Sequence, residues 1–312
     1  MKVLITGGAG FIGSHLTKLH LNKNDDVTVV DNFITGNKKN LESEKNNKNL
    51  EIIEADIVNF DFSSFPAFDI IYDLASPASP KDFQSLSVEI LKTNSLGLIN
   101  ILDFFIKSNS GTLVFSSTSE VYGDPMEHPQ KESYFGHVNP VGLRSSYDEG
   151  KRFAEALTMA YFRRYKKNIR IARIFNTYGP YMKKDDGRVV SNLINQALEN
   201  KPLTVFGKGA QTRSFTYISD MVNGLYLLAT VSKLAGEIVN LGNPEEKTVL
   251  EIAGIIKKLT LSKSQITHKS IDVDDPKRRC PDINKAHRLL GWQPKVTLEN
   301  GLKETIKYFK NL

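Results

Sequence analysis

A 312-residue chain that is 40% hydrophobic can bury a large core, and its length suggests two domains or one elaborated one. Its net charge of +6 and pI near 9.1 raise nucleic acid as a partner, but the lysines crowded into residues 36–49 have no interleaved aromatics to stack bases; that stretch reads as a solvated loop, and no nucleic-acid partner is expected. No apolar run approaches a membrane span, the single cysteine, Cys280, cannot close an internal disulfide, and the six histidines lack ligand spacing. Neither a membrane partner nor a metal is therefore expected, and the expected compartment is the cytoplasm.

Lys2-Val3-Leu4-Ile5-Thr6 is a short apolar run suited to a strand buried on both faces, and it opens the chain with no stretch that reads as a leader. Gly7 to Gly10 make a turn, and Phe11 to Leu21 read as a helix with Phe11, Ile12, Leu16 and Leu19 along one side. Gly7 and Gly10 let backbone approach a pyrophosphate, Gly13 lets the helix pack close to the strand, and the helix N-terminus favours the anion. A second strand over 26–30 ends in Asp31, about twenty residues beyond the loop, where an acid accepts from the adenosine ribose hydroxyls. Asp31 would repel a 2′-phosphate, so the expected cofactor is NAD rather than NADP.

Strand-like and helix-like segments then alternate. Residues 51–54 and 69–74 read as strands, 83–107 contains a long helical stretch, 112–116 is a strand, 146–165 a second long helix, and 169–173 a sixth strand. This predicts an α/β fold, a Rossmann-like doubly wound parallel sheet. Beyond Arg173 the pattern is irregular and rich in Gly, Pro and Arg. We expect an NAD-binding domain over 1–172 and a smaller C-terminal substrate-binding domain over 173–312, with part of 214–244, above all 237–241, open to returning to the sheet.

Tyr147 and Lys151 lie four residues apart at the start of the second long helix and share a face. An ammonium near a phenol favours the phenolate, and a nicotinamidium would add to this, bringing the tyrosine toward neutral pH where a general base is useful. The preceding strand ends in Ser116-Ser117-Thr118, and the Thr118 hydroxyl would share the substrate proton with Tyr147. Glu120 is a further acid–base group that plain alcohol oxidation does not need. Together these residues suggest an enzyme that oxidises a sugar transiently, changes it and reduces it again.

Longer words in the sequence point the same way. They are residues 74–80 (LASPASP), 117–125 (STSEVYGDP), 136–140 (GHVNP), 147–152 (YDEGKR), 172–177 (ARIFNT), 186–192 (DGRVVSN), 211–213 (QTR) and 240–246 (NLGNPEE). Over essentially its whole length the chain resembles the extended short-chain dehydrogenases/reductases and, more narrowly, the UDP-glucuronate decarboxylases. The resemblance implies oxidation of carbon 4 of UDP-glucuronate with Tyr147 as base, loss of carbon dioxide from the β-keto acid, and return of the hydride to give UDP-xylose. Glu120, Ser119 or a water they position would help protonate carbon 5. Arg279, in the segment 276–281, would hold the carboxylate, with Arg278 open as its substitute.

Arg188 and Arg213 suit the diphosphate because arginine binds phosphate bidentately. By resemblance, Lys92, Asn100, Tyr161, Asn176 and Gln211 complete the substrate set. For Tyr161 a place in the core, and for Asn176 a place in a turn, remain alternatives. The cofactor set adds Asn32, Phe33, Thr35, Gly36, Asp56, Ile57, Leu74, Ser76, Thr93, Ser116 and Thr177 to the glycine loop, Asp31, Tyr147 and Lys151. Related enzymes pair the two long helices into a homodimer, here with Leu91, Leu98, Leu102 and Phe105, although both helices could simply cover one subunit's sheet.

Three departures stand out: Asp73 where relatives usually carry histidine, Phe206 for a usual tyrosine, and Cys280 where lysine is common. Competing readings are a UDP-sugar 4-epimerase, a nucleotide-sugar 4,6-dehydratase, or, in a different class, a non-catalytic NAD-binding regulatory protein. The intact Thr118, Tyr147 and Lys151 argue against the last.

Overall fold

The computed structural model describes residues 1–270 and 278–312. Six strands run in chain order: β1 (Lys2–Thr6), β2 (Asp26–Asp31), β3 (Leu50–Glu54), β4 (Ile70–Asp73), β5 (Thr112–Thr118) and β6 (Ile169–Ile174). A seventh, Ile238–Leu241, pairs in parallel with β6, as the open alternative for 237–241 anticipated. From that strand the sheet runs β6, β5, β4, β1, β2, β3, and every pairing is parallel. Burial on both faces fits the apolar centres of these strands, Val3-Leu4-Ile5 in β1 and Leu113-Val114-Phe115 in β5. Strand order reverses direction between β1 and β4, which opens a crevice at their carboxyl ends.

On one face, helix α1 (Phe11–Leu21) and the Ile218–Thr230 helix bury Leu16, Met221 and Leu225 against the sheet, with Trp292 in the same cluster. On the other face, the Leu98–Lys107 and Ser145–Tyr165 helices contribute Leu98, Leu102, Phe105 and Ala154. A second core gathers the Val189–Leu198, Val249–Thr260 and Leu298–Lys310 helices around Leu193, Ile252 and Leu302. The two cores face each other across the carboxyl edge of the sheet, with Phe11 and Tyr217 touching both.

Three local expectations need correction. The stretch 83–107 is not one helix: it breaks into Asp82–Ser85, Ser87–Lys92, a π-turn over Thr93–Gly97, and Leu98–Lys107. The wide turn brings Gly97 so close to Ile57 that a Cβ there would sit 2.8 Å from that side chain. The lysine-rich 36–49 stretch contains a 3₁₀ helix, Lys38–Glu44, because Leu41 and Asn40 are buried beneath it. Of the four residues expected at a subunit interface, Leu98, Leu102 and Phe105 are fully buried within this subunit, and only Leu91 is exposed.

The sharpest packing constraint is in the glycine loop. Gly7 adopts φ +67°, a conformation that favours glycine, and a Cβ at Gly13 would lie 2.2 Å from the Gly7 carbonyl oxygen. Backbone cannot yield as a flexible side chain would. Gly13→Ala is therefore expected to cost about 1–3 kcal/mol by overpacking and to weaken NAD binding. Denaturant unfolding and a cofactor titration check this, and unchanged values for both would refute the steric argument.

Candidate active site

The crevice is a cavity of about 1200 Å³. Every residue proposed for the cofactor lines it except Phe33. Phe33 (φ +57°) supplies its backbone N–H to Asp31, while its side chain packs against the core and helps form a small separate surface pocket. Asp31 ends β2 with one oxygen accepting from the Ala9 N–H at 2.9 Å and the other from the Phe33 N–H at 2.8 Å. Burial raises its pKa, and those two N–H groups oppose the rise. Carboxylate oxygens each carry a second lone pair, so the ribose hydroxyls can still be accepted. Gly36 is tight for the same reason, since a Cβ there would meet the Asp31 carboxylate at 2.8 Å. Glycine turn, helix N-terminus and ribose acid thus fit NAD.

At the other side of the cavity, β5 delivers its carboxyl end residues to the long helix. Tyr147 is buried and stacks on Phe83, with ring centroids 4.6 Å apart at 14°. Its phenol lies close enough to the Thr118 hydroxyl for that hydroxyl to influence its titration. Burial pushes Tyr147 up to about 12, aided by the Glu120 charge, while the nearby Thr118 hydroxyl and the Arg188 charge pull it down. The expectation of a phenol near neutral pH is therefore not met by the protein groups alone. Lys151, itself lowered to about 8 by burial, gives its ammonium to the Ser116 carbonyl at 2.9 Å. Asp73 and Glu155 counter that fall with their charge.

Glu120 is held between two guanidiniums. Arg144 Nη2 lies 2.5 Å from Oε2, and Arg279 Nη1 pairs with Oε1. Burial would raise this carboxyl, but the charges of Arg144 and Arg279 outweigh it and bring it down to about 2. Arg279 also donates to the Gly123 carbonyl at 2.9 Å, a second anchor beside Glu120. Arg278 is exposed and pairs instead with Glu246 at 3.7 Å, which leaves Arg279 as the arginine in the cavity. Pro276 and Lys277 of the same segment lie outside the described residues.

Among the other substrate candidates, Asn176, Arg188, Gln211, Arg213 and Arg279 line the cavity. Arg188 is braced by the Ala78 carbonyl at 2.9 Å and by Asp186 at 3.3 Å. Lys92, Asn100 and Tyr161 do not line it. Lys92 is exposed at the end of its helix. Asn100 donates to the Ile57 and Val58 carbonyls at 3.0 and 2.8 Å, fastening the turn after β3. Tyr161 is half-buried at the edge of the core and donates to Asp103 at 2.7 Å, tying two helices together.

The family model for GDP-mannose 4,6 dehydratase matches residues 4–305. The chain is 52% identical to UDP-glucuronic acid decarboxylase 1 of Danio rerio over 99% of its own length and 72% of that protein's. It is 50% identical to UDP-glucuronic acid decarboxylase 4 of Arabidopsis thaliana, over 99% of its length and 69% of the relative's. Among solved structures, UDP-glucuronic acid 4-epimerase from Bacillus cereus, in complex with UDP-glucuronic acid and NAD, superposes with a TM-score of 0.89 at 32% identity, covering 100% and 99% of the two chains. UDP-glucose 4-epimerase from Thermotoga maritima gives 0.91 at 30%, with the same coverage. The chain belongs to the UDP-glucuronic acid decarboxylase family.

Sequence reasoning missed Arg144, Phe83, Asp186 and Asp148. Arg144 precedes the long helix by one residue, and nothing in its neighbourhood signals that it folds back onto Glu120. Asp148 follows Tyr147 in the word YDEGK, but only the fold shows that it is buried. Burial first, and then the Glu120 charge, raise Asp148 to about 7, with Arg144 and Arg279 opposing. Since the folded state holds this proton more tightly than the unfolded chain, Asp148 costs nothing below pH ~4, and stability falls as pH rises toward about 7. Asp148→Asn should therefore melt higher than the parent at pH 8, with the difference vanishing toward pH 4. Thermal unfolding across that range checks the sign, and a constant difference would overturn it.

Proposed function

We propose that this protein converts UDP-glucuronate to UDP-xylose and carbon dioxide through a transient 4-keto sugar, with NAD regenerated. The observation that carries this reading is the pairing of a Tyr147–Thr118 proton site with a cavity-facing Arg279 that is already neutralising a carboxylate, Glu120. The relatives at 50–52% identity are named for this decarboxylation, whereas the 4-epimerases stand at 30–32%. In this reading 1–172 is mainly the NAD-binding part and 173–312 mainly the nucleotide-sugar part.

Loss of carbon dioxide from a hexuronate needs somewhere for the electron pair to go. A ketone at carbon 4 is β to the carboxylate and accepts that pair as an enolate. Bound NAD supplies the hydride acceptor and returns the hydride. Tyr147 Oη takes the carbon-4 hydroxyl proton, and Thr118 orients that hydroxyl. A phenol at about 12 is a poor base until positive charge gathers near it, which is the role left to Lys151 and the nicotinamide ring. Arg188 and Arg213 hold the diphosphate, and Arg279 turns from Glu120 toward the sugar carboxylate.

The environment of Glu120 refines the protonation step. A carboxyl held near 2 is ionised at neutral pH and has no proton to give. Its role is to place a second negative charge beside the substrate carboxylate, which is relieved as neutral carbon dioxide leaves, and to orient with Ser119 the water that protonates carbon 5, with solvent restoring the proton. Tyr147→Phe should abolish NADH absorbance after mixing with UDP-glucuronate and cut carbon dioxide release by about 10²–10⁴-fold. Glu120→Ala should bind NAD normally and still form NADH, but release carbon dioxide slowly. Wild-type turnover of the Glu120 variant would show that the residue is structural.

The same reading includes a homodimer. Exposed apolar residues on the two helices are Val88 (55%), Leu91 (45%), Leu96 (51%) and Phe153 (50%), a set that one subunit leaves in water. Light scattering at micromolar concentration should give twice the 35.0 kDa chain mass, and Phe153→Glu should reduce it to one chain. A single-chain mass for the parent protein would refute the dimer.

A further inference from the structure

Outside the catalytic cavity, three donor side chains from distant parts of the chain converge. His128 lies in the segment between β5 and the long helix, Glu246 begins the Glu246–Thr248 strand, and Cys280 follows the Arg278–Arg279 strand. One ligand atom from each lies within 4.8 Å of the others, and His128 Nε2 is 2.9 Å from Glu246 Oε2. The three backbones are held independently of any ligand. Glu246 pairs with Ser214, and Arg279 with Arg213 on the other edge of the same strand. Gln130 fastens the His128 segment to Cys280 by two 2.8 Å bonds, its N–H donating to the Cys280 carbonyl and its side-chain oxygen accepting from the Cys280 N–H.

We propose that His128, Glu246 and Cys280 form a binding site for a thiophilic divalent cation of the zinc class, with a fourth position open to solvent beside His128. Imidazole, carboxylate and thiolate together make a borderline-soft donor set that suits Zn²⁺ and not Mg²⁺ or Ca²⁺. Tetrahedral bonds of 2.0–2.3 Å require ligand atoms about 3.5 Å apart, which side-chain rotation reaches from the observed spread. Thr212 donates to Glu246 Oε1 at 2.5 Å, orienting the carboxylate and leaving Oε2 for the cation.

Binding replaces the His128–Glu246 hydrogen bond and releases the Cys280 thiol proton to solvent. Among the described residues Arg278 brings a positive charge to 3.7 Å from Glu246, and its side chain is 59% exposed and can swing away. A redox-active or nucleophilic cysteine is the weaker alternative, because burial and then the Glu246 charge push the thiol up to about 11. A cation here would staple the segment carrying Arg279 to the loop beyond β5.

The test uses the full-length, tag-free protein titrated with Co²⁺ as a spectroscopic substitute. Expected are tetrahedral d–d bands with a thiolate-to-cobalt charge-transfer band, saturating at one ion per chain and displaced by Zn²⁺. Cys280→Ala should remove the charge-transfer band, and His128→Ala and Glu246→Gln should each weaken binding at least ~10-fold, with NAD binding unchanged. Absence of the thiolate band in the parent protein would overturn the proposal even if a variant failed to fold. So would a band that survives in Cys280→Ala.

Discussion

The site depends on one buried ionic arrangement, the Glu120 carboxylate between Arg144 and Arg279. Each partner arrives from a different segment: the turn after β5, the loop before the long helix, and the short strand at 278–279. Removing one partner of such a pair typically costs about 3–5 kcal/mol, because the other charge is left buried and uncompensated. The three segments are thereby kept together at the mouth of the sheet. Two guanidiniums on one carboxylate leave positive charge to spare, which Asp148 offsets to the extent that it is ionised.

Behind that cluster, β5 supplies a second tier of support. The Ser116 carbonyl receives Lys151, and Ser117 donates to Glu155 at 2.6 Å. Glu155 in turn binds Arg173 at 2.7 Å, Arg173 donates to the Tyr122 hydroxyl at 2.9 Å, and that hydroxyl donates to Asn240 at 2.8 Å. A chain of satisfied buried groups therefore runs from the reacting end of β5 through β6 to the last strand of the sheet. Such networks fix rotamers, and here the fixed residues flank Thr118, Ser119 and Glu120. Positional accuracy at the cavity follows from this polar layer as much as from the apolar core.

The parts legible in the sequence are those governed by short-range rules. The glycine loop, Asp31 and the Tyr147–Lys151 spacing each follow from one turn, one strand end or one helical repeat, and the structure puts them in one cavity. Arg144, Asp148 and Phe83 were not legible, because their roles arise from contacts that no local pattern announces. Lys92, Asn100 and Tyr161 lie in the right helices but face a solvent edge, a neighbouring turn and a neighbouring helix. The resemblance that names those three does not report which way a side chain faces; the π-turn at Thr93–Gly97, a local change of helical pitch ahead of Asn100, is likewise announced by no sequence pattern. For Tyr147 the pairwise charges are legible in the sequence, whereas the burial that raises the phenol comes only from the fold.

Fold alone does not separate decarboxylase from epimerase. Two solved 4-epimerases superpose on this chain with TM-scores of 0.89 and 0.91, so the fold is common property. Both chemistries begin with the same hydride removal at carbon 4 and end with its return. They differ in what happens to a ketone that is β to a carboxylate. An enzyme that only inverts carbon 4 must keep that carboxylate stable through the oxidised stage, and spreading its charge over cations does so. Placing it against a second carboxylate does the reverse: repulsion rises while the acid is bound and ends when carbon dioxide departs. In the proposed mechanism Arg279 binds the sugar carboxylate while Glu120, kept ionised by Arg144, sets a second negative charge beside it. On this proposal the outcome of the reaction turns on which charges surround the sugar's carboxylate, since the fold that holds the cofactor is shared.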